Sequence, residues 1–434
     1  MKRRPKKINV ITLGCSKNVV DSEVLMKQID AQGIEVVHDS EDPDARTVII
    51  NTCGFIQDAK QESIDTILGY IHLKEAGNLD SVYVMGCLSE RYKKDLRVEI
   101  PEVDKYFGVN DIGQIIAELG GDYKKELLGE RQLSTPSHYA YLKISEGCDR
   151  KCSFCAIPLI RGKQKSRSME ALRTESKTLV DQGVKELILI AQDLTAYGTD
   201  LYGMRNLSSL LESLAGIGEL PWIRLHYAYP ASFPDEILYQ IRDYPNICDY
   251  LDIPFQHISD SVLSKMHRGI DRKGSIELID RIRNIVPGAA LRTTLLVGHP
   301  GEGEKEFQEL YDFVQSTRFE RLGVFVYSEE EGTWGADNLK DTVPQDIKEF
   351  RVKELMKLQQ SISLEINQKR EGEVLRVLID RKEGEYFVGR TEYDSPEVDN
   401  EVVFQSGTDL KIGNFTNVNI KEAREFDLFG FAVE

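Results

Sequence analysis

Two rhythms of apolar residues alternate along the first part of the chain. INVITLG, TVIINTCGF and SVYVMGC are short, near-continuous apolar runs, the pattern of strands buried on both faces. Between them, VVDSEVLMKQIDAQG and DAKQESIDTILGYIHLKEAG space their apolar residues three and four apart, and each closes on a glycine. That is the pattern of an amphipathic helix with its stop signal. Strand, helix, strand, helix, strand predicts an open parallel-sheet N-terminal domain over residues 1–132.

RQLSTPS, residues 131–137, is rich in turn formers and predicts a linker. The alternation then restarts. AYLKIS, ELILIAQD, WIRLHYAYP, YLDIPFQH, LRTTLLVG and LGVFVYS read as six strands, with helical stretches such as SMEALRTESKTLVDQG and EKEFQELYDFVQST between them. Six such units predict a partial (β/α)6 TIM-like barrel over 136–368, with chemistry at the C-terminal ends of its strands. Its last stretch is a long amphipathic helix, PQDIKEFRVKELMKLQQSISLEINQKREG. Over 370–434 the period shortens to β-like runs, VLRVLID, EYFVGRTEY, EVVFQ and FTNVNIKEAREFDLFGFAVE, which predict a small antiparallel β-barrel. No internal repeat is evident.

Charge narrows the partners. The 434 residues carry a net charge of −17, which argues against a broad basic field for nucleic acid and leaves room for a basic partner. No apolar run approaches the ~20 residues that span a bilayer. The start, MKRRPKKINVITLGC, imitates a secretory signal, but its apolar core at 8–13 is shorter than the roughly 7–15 residues required and Lys17 follows closely. A cytoplasmic protein is expected. Seven cysteines, an odd count in a large chain, then favour metal binding or catalysis over disulfides.

Cys15, Cys53 and Cys87 fall at the C-terminal ends of the three N-terminal strands, the edge where open α/β sheets gather ligands. One such cysteine is most often a small core residue. Three in register make a metal site the better reading. Cys148, Cys152 and Cys155, in SEGCDRKCSFCAIP, are spaced C-x3-C-x2-C. Three close thiolates suit an iron–sulfur cluster and leave a fourth iron open. Structural zinc would need a fourth ligand, and the close candidate, His138, stands ten residues before Cys148 at no common zinc spacing. Cys248 reads as a buried structural cysteine. His257, ending a barrel strand, reads as a hydrogen-bonded wall residue.

The second cluster carries a resemblance. SEGCDRKCSFCAIPLIRGKQKSRS after the first strand of a (β/α)6 barrel, with Phe154 just before the third cysteine, is similar to the radical S-adenosylmethionine superfamily. Three earlier cysteines, the barrel and a terminal β-barrel, in that order, resemble the methylthiotransferases, whose third module is a TRAM domain. AQDLTAYG, DIPFQHISDSVLSKMHRG and RTTLLVGHPGE also resemble family segments. GCSKNVVDSE is similar to the branch that acts on a ribosomal protein, whereas the transfer-RNA branch usually reads GCQMN there.

The resemblance implies two 4Fe-4S clusters, one on Cys15, Cys53 and Cys87 and one on Cys148, Cys152 and Cys155. It implies two uses of S-adenosylmethionine: one molecule methylates a sulfur on the auxiliary cluster, and the other is cleaved to a 5′-deoxyadenosyl radical. The implied product is a methylthiolated β-carbon of an aspartate in the twelfth small-subunit ribosomal protein, free or on the ribosome. An electron donor such as flavodoxin or ferredoxin is implied, and a direct tRNA substrate is not. S-adenosylmethionine contacts are expected at Phe154, Gln192, Asp193, Val297 and Gly298, with helix capping the alternative for Asp193. His299 stands where relatives commonly carry an apolar aromatic. GKQKSR, 162–167, is a basic loop beside the cluster, expected to meet a carboxylate of the cofactor or of the substrate aspartate, or solvent. No general acid or base is assigned, because the cofactors carry such chemistry.

Charge agrees with the branch. Residues 370–434 hold 8 Lys and Arg against 15 Asp and Glu, a net of −7, where an RNA-binding barrel would be basic. Such a barrel suits a basic protein partner, or is simply a solvated acidic surface. Two rival readings remain: a tRNA methylthiotransferase with the same chemistry, and a non-catalytic iron–sulfur or zinc protein acting as redox sensor or scaffold.

Overall fold

The computed structural model describes residues 6–127 and 129–433; the first five residues of the basic start, Leu128 and Glu434 lie outside that description. Two compact units emerge. The first holds the chain up to Thr135 together with Tyr141–Arg150 and Ala156–Thr178, and the second holds Pro136–Ala140, Lys151–Cys155 and Leu179–Glu434.

The first unit is built on a five-stranded sheet: β1 (Lys7–Thr12), β2 (Glu35–His38), β3 (Thr47–Thr52), β4 (Ser81–Gly86) and β5 (Lys105–Tyr106), in the order β2-β1-β3-β4-β5. Every pairing is parallel. Successive side chains along the strands feed two cores. Ile8, Val10, Ile49 and Met85 pack against Leu25, Met26 and Ile29 of helix α1 (Ser16–Asp30). Ile11, Val48, Ile50 and Val84 pack on the opposite face against Ile67 and Ile71 of α2 (Gln57–Glu75) and Leu88 and Leu96 of α3 (Cys87–Glu99). Both faces are covered, so β3 and β4 are buried along their whole length and read as continuous apolar runs.

The sequence reading found three of these strands. The edge strands β2 and β5 were missed because one is four residues and half-exposed and the other is two residues long. The expected linker is also tied down at its start. Arg131 is buried, and its guanidinium donates to Glu23 at 2.7 Å and lies 3.0 Å from Glu175.

β6 (Tyr139–Lys143), β9 (Glu186–Ile190), β10 (Trp222–Leu225), β11 (Ile247–Asp252), β12 (Ala290–Val297) and β13 (Arg321–Val326) form one six-stranded sheet, ordered β13-β12-β11-β10-β9-β6, of which β9 to β13 and the first two residues of β6 belong to the second unit. β7 (Ser145–Glu146) and β8 (Lys165–Ser166) make a separate antiparallel pair within the first unit. The helix Gln345–Gln368 leads from the sheet to a closed five-stranded barrel: β14 (Val374–Glu383), β15 (Tyr386–Arg390), β16 (Glu401–Gln405), β17 (Phe415–Ala423) and β18 (Asp427–Val433). Four of its pairings are antiparallel, and β16–β18 is parallel and closes it. Val377, Ile379, Phe404, Val418 and Ile420 fill the interior.

That barrel is packed onto the sheet. Trp222, Cys248, Tyr250 and Ala290 form one core with Leu378, Tyr393 and Phe415. Cys248 is therefore the buried structural cysteine expected, and burial pushes its thiol far above the ordinary range.

Candidate functional site

The sheet order of the first unit reverses between β1 and β3, the switch at which such sheets bind ligands beyond their strand C-termini. Cys15 and Cys53 follow these two strands, and Cys87 follows the neighbouring β4. Tight turns deliver two of them. Gly14 and Gly86 immediately precede Cys15 and Cys87 with φ of +91° and +98°, backbone that side chains rarely adopt. A Cβ at Gly14 would come within 2.7 Å of the Cys53 Cβ, so the Cys15 turn lies directly against Cys53. A Cβ at Gly86 would come within 2.5 Å of the Thr52 carbonyl oxygen. Gly86→Ala should therefore destabilise the first unit by about 2–4 kcal/mol, from left-handed strain plus overpacking. Denaturant unfolding checks this, and an unmoved midpoint would show that the turn relaxes at no cost.

One side chain knits the three cysteine turns together. Asn18, fully buried on α1, donates from Nδ2 to the carbonyls of Leu13 at 2.7 Å and Thr52 at 3.1 Å. Its Oδ1 lies 3.7 Å from the Cys87 sulfur. The Ser63 hydroxyl fixes Cys53 by accepting its N–H and donating to its carbonyl, at 3.0 and 2.9 Å.

Arg161, just past the short helix Ile157–Ile160, completes the enclosure. Its Nη2 donates to Asn18 Oδ1 at 2.6 Å and to Cys87 Sγ at 3.3 Å, and its Nη1 to Asp21 at 2.7 Å and Glu146 at 3.1 Å. Burial pushes the Cys87 thiol up to about 12 and raises Cys53, while the Arg161 charge pulls both back. Cys15 adds to the rise at both, so the three sulfurs lie within one another's field.

None of the described cysteines is joined in a disulfide. Among the described residues no three His, Cys, Asp or Glu side chains stand close enough to share one metal ion. A cubane asks for something different, one thiolate on each of several irons, with N–H donors aimed at the sulfurs. A buried thiol facing a guanidinium, at a tight Gly-Cys turn, fits that requirement.

The C-x3-C-x2-C segment follows β7. Cys148 donates its N–H to Gly162 O at 3.0 Å, and its sulfur accepts the Arg150 N–H at 3.4 Å. In the second unit, the Cys152 sulfur accepts from Arg268 Nη1 at 3.2 Å and lies 3.7 Å from the Tyr229 hydroxyl. The Arg268 guanidinium stacks 4.4 Å from the Tyr229 ring, and that hydroxyl donates to Arg268 O. The Cys155 N–H donates to Cys152 O at 3.2 Å, folding that turn back on itself. N–H donors on two of these sulfurs again fit iron-bound thiolates. His138, the zinc candidate, is engaged elsewhere: its Nε2 pairs with Asp380 at 2.8 Å.

The expected S-adenosylmethionine contacts lie at two strand ends and the cysteine loop. Phe154 packs on Val262, Met266, Leu296 and Tyr327. Its ring meets His299 edge-on at 6.3 Å, and His299 meets Tyr327 at 5.1 Å. Burial lowers the His299 pKa to about 4, so the imidazole that stands in place of an apolar aromatic is neutral at physiological pH. Gln192 and Asp193 follow β9, and Asp193 Oδ1 accepts the Thr195 N–H and hydroxyl at 3.0 and 2.6 Å, the capping role weighed above. Val297 ends β12, and the Gly298 N–H donates to Glu302 at 2.8 Å. Glu302 also holds Arg351 and lies 3.5 Å from His257 Nε2, while His257 Nδ1 accepts the Ser259 N–H. His257 is thus buried and held by its own turn. In the basic loop, Arg167 meets the chain's own Glu175 at 2.5 Å.

Asn18, Arg161, Tyr229 and Arg268 were not singled out from the sequence. Arg161 stands six residues after Cys155 in SEGCDRKCSFCAIPLIRGKQKSRS, and only its fourfold hydrogen bonding reveals its use.

Three family models match the chain: the uncharacterized protein family UPF0004 over 7–108, the radical SAM superfamily over 142–314 and the TRAM domain over 372–433. Among curated relatives, "Ribosomal protein uS12 methylthiotransferase RimO" of Cytophaga hutchinsonii is 55% identical, covering 99% of this chain and 98% of its own length. The proteins of that name from Christiangramia forsetii and Bacteroides fragilis are 55% and 54% identical over 98% and 99% of this chain, covering 94% and 99% of theirs. Among solved structures, the radical S-adenosylmethionine methyltransferase TsrM from Kitasatospora setae, with cobalamin and a [4Fe-4S] cluster, superposes with a TM-score of 0.55 at 12% identity, covering 88% of this chain and 80% of that one. At that identity the likeness speaks for the fold alone.

Proposed function

The chain belongs to the RimO family of methylthiotransferases, within the radical S-adenosylmethionine superfamily, and from that we propose that it transfers a methylthio group to ribosomal protein uS12, on the β-carbon of an aspartate. The observation that carries this is about 55% identity along almost the whole chain. We keep three functional modules, 1–132, 136–368 and 370–434. When bound, S-adenosylmethionine and two 4Fe-4S clusters supply the 5′-deoxyadenosyl radical and the methylthio sulfur.

The chain's own part is to hold and shield. Cys148, Cys152 and Cys155 hold the radical cluster, and Cys15, Cys53 and Cys87 the auxiliary one. Three thiolates in each case leave one coordination place for a small molecule. Arg268 and the Arg150 amide direct N–H groups at sulfurs of the first trio. Phe154, neutral His299 and Tyr327 pack as an uncharged aromatic group behind the cysteine loop, which would help keep water from a reactive radical. Phe154, Gln192, Asp193, Val297 and Gly298 remain the proposed S-adenosylmethionine contacts, with Asp193 also serving its own turn.

The acidic barrel favours a protein substrate over tRNA. Of its eight basic residues, Arg370, Arg381, Lys382, Arg390 and Arg424 are each in an ion pair with a carboxylate of this chain, which leaves few cations to meet phosphates. No described helix is long and apolar enough to cross a membrane. We place the enzyme in the cytoplasm, reduced by a flavodoxin or ferredoxin.

The test is anaerobic turnover of the reconstituted protein with S-adenosylmethionine, sulfide, a low-potential reductant and purified uS12. Mass spectrometry should find one methylthio group replacing a hydrogen on an aspartate of uS12, with tRNA unmodified. Formation of 5′-deoxyadenosine with uS12 unchanged would sink the substrate assignment. Absence of cofactor cleavage would return the chain to a non-catalytic iron–sulfur protein.

A further inference from the structure

We infer that Arg161 is a positioning residue for the auxiliary cluster, setting its reduction potential through a charged hydrogen bond to the Cys87 sulfur. The inference rests on the reading of Cys15, Cys53 and Cys87 as ligands of that cluster. It goes beyond the ligand set, because Arg161 lies outside the sheet module and six residues after Cys155, in the segment that follows the other cysteine motif.

Four acceptors converge on this guanidinium: Asp21, Glu146, Asn18 Oδ1 and Cys87 Sγ. Arg161 is buried, so none of these contacts is diluted by water. Lys143 pairs with Asp21 and Glu146 as well, so the two carboxylates already have a second cation. Two cations against two carboxylates make a neutral set before Cys87 is counted. The N–H aimed at Cys87 Sγ therefore belongs to a guanidinium able to meet one more anion, which an iron-bound thiolate supplies. Arginine suits the position because its planar fork reaches Asn18 and the sulfur with one nitrogen and the carboxylates with the other.

The physical consequence has a sign. An electron added to a cluster is stabilised by a nearby positive charge and by N–H donors on its sulfurs. Removing the guanidinium should make the cluster harder to reduce. Asn18 accepts from the same arginine through Oδ1 while its Nδ2 holds the carbonyls ahead of Cys15 and Cys53, so losing Arg161 also leaves without its charged partner the side chain that keeps these turns in register.

The experiment uses the full chain carrying Cys148/Cys152/Cys155→Ala, which retains only the auxiliary site. After anaerobic reconstitution, iron is counted and the cluster potential is titrated by electron paramagnetic resonance. Arg161→Gln should favour the oxidised form about tenfold, a shift of about 59 mV to lower potential for a one-electron couple. Arg161→Lys, which keeps the charge, should recover more than half of it. A purely structural role would lower melting temperature without moving the potential, so an unmoved potential in a folded, iron-loaded R161Q overturns the inference. If R161Q fails to fold, arginine labelled with 15N in the parent chain decides instead. A guanidinium nitrogen coupled to the cluster spin supports the inference, and its absence overturns it. An iron-free parent would overturn the underlying cluster assignment, and the inference with it, and is distinguishable from both.

Discussion

Replacing Cys148, Cys152 and Cys155 together by alanine is expected to abolish reductive cleavage of S-adenosylmethionine and to lower bound iron from about eight to about four per chain, the content of one remaining cubane. The activity loss should exceed about 10³-fold, because the cofactors carry the chemistry and no side chain near Phe154 or His299 can substitute for them. Iron and acid-labile sulfide after anaerobic reconstitution give the count, and 5′-deoxyadenosine release gives the activity. About four irons in the unaltered chain and none in the variant would remove the auxiliary cluster from Cys15, Cys53 and Cys87. The enzyme would then be a single-cluster radical protein, and the enclosure made by Asn18 and Arg161 would need another purpose.

The second large effect lies at the seam between the sheet of the second unit and the terminal barrel. Glu186, on β9, is fully buried and accepts from Arg224 Nε at 2.6 Å and from Arg390 Nη1 of the terminal barrel at 2.7 Å. Arg390 continues to Asp380, at 2.7 and 3.0 Å, which in turn pairs with His138. One carboxylate thus joins the parallel sheet to the closed barrel. Glu186→Ala should destabilise the second unit by about 3–5 kcal/mol, because it strands the buried Arg224 guanidinium and takes from Arg390 one of its two carboxylates. Trp222 packs edge-on to Phe415 of the barrel at 4.8 Å, so its fluorescence reports this seam during denaturant unfolding. A loss below about 1 kcal/mol would mean that the backbone carbonyls of Thr391 and Glu392, which Arg224 also reaches, satisfy it without Glu186.

The barrel's attachment changes how its acidity is read. Several of its charges are structural: Arg390 pairs with Glu186 of β9 and with Asp380, and Asp394 takes Arg321 of β13. The net charge of 370–434 therefore mixes buried pairs with surface carboxylates. The argument for a basic protein partner rests on the surface share, where Glu383, Glu401 and Glu422 already neutralise neighbouring arginines.

The sequence by itself determined the order of modules, most strands of both sheets and the six cysteines. Those features are local. A strand covered on both faces must be apolar throughout, an amphipathic helix must repeat every three or four residues, and a cysteine motif is read by spacing alone. The tertiary structure decided what the polar residues of GCSKNVVDSE are for. Asn18, Asp21 and Glu23 look like the solvent face of a helix, yet all three are buried. Their partners Arg161 and Arg131 lie 143, 140 and 108 residues further along the chain. The seam made by Glu186 was hidden for the same reason, whereas the edge strands β2 and β5 were too short to show a pattern. That seam draws its stability from neighbours distant in sequence, and a buried ion pair leaves no periodicity in the chain that carries it.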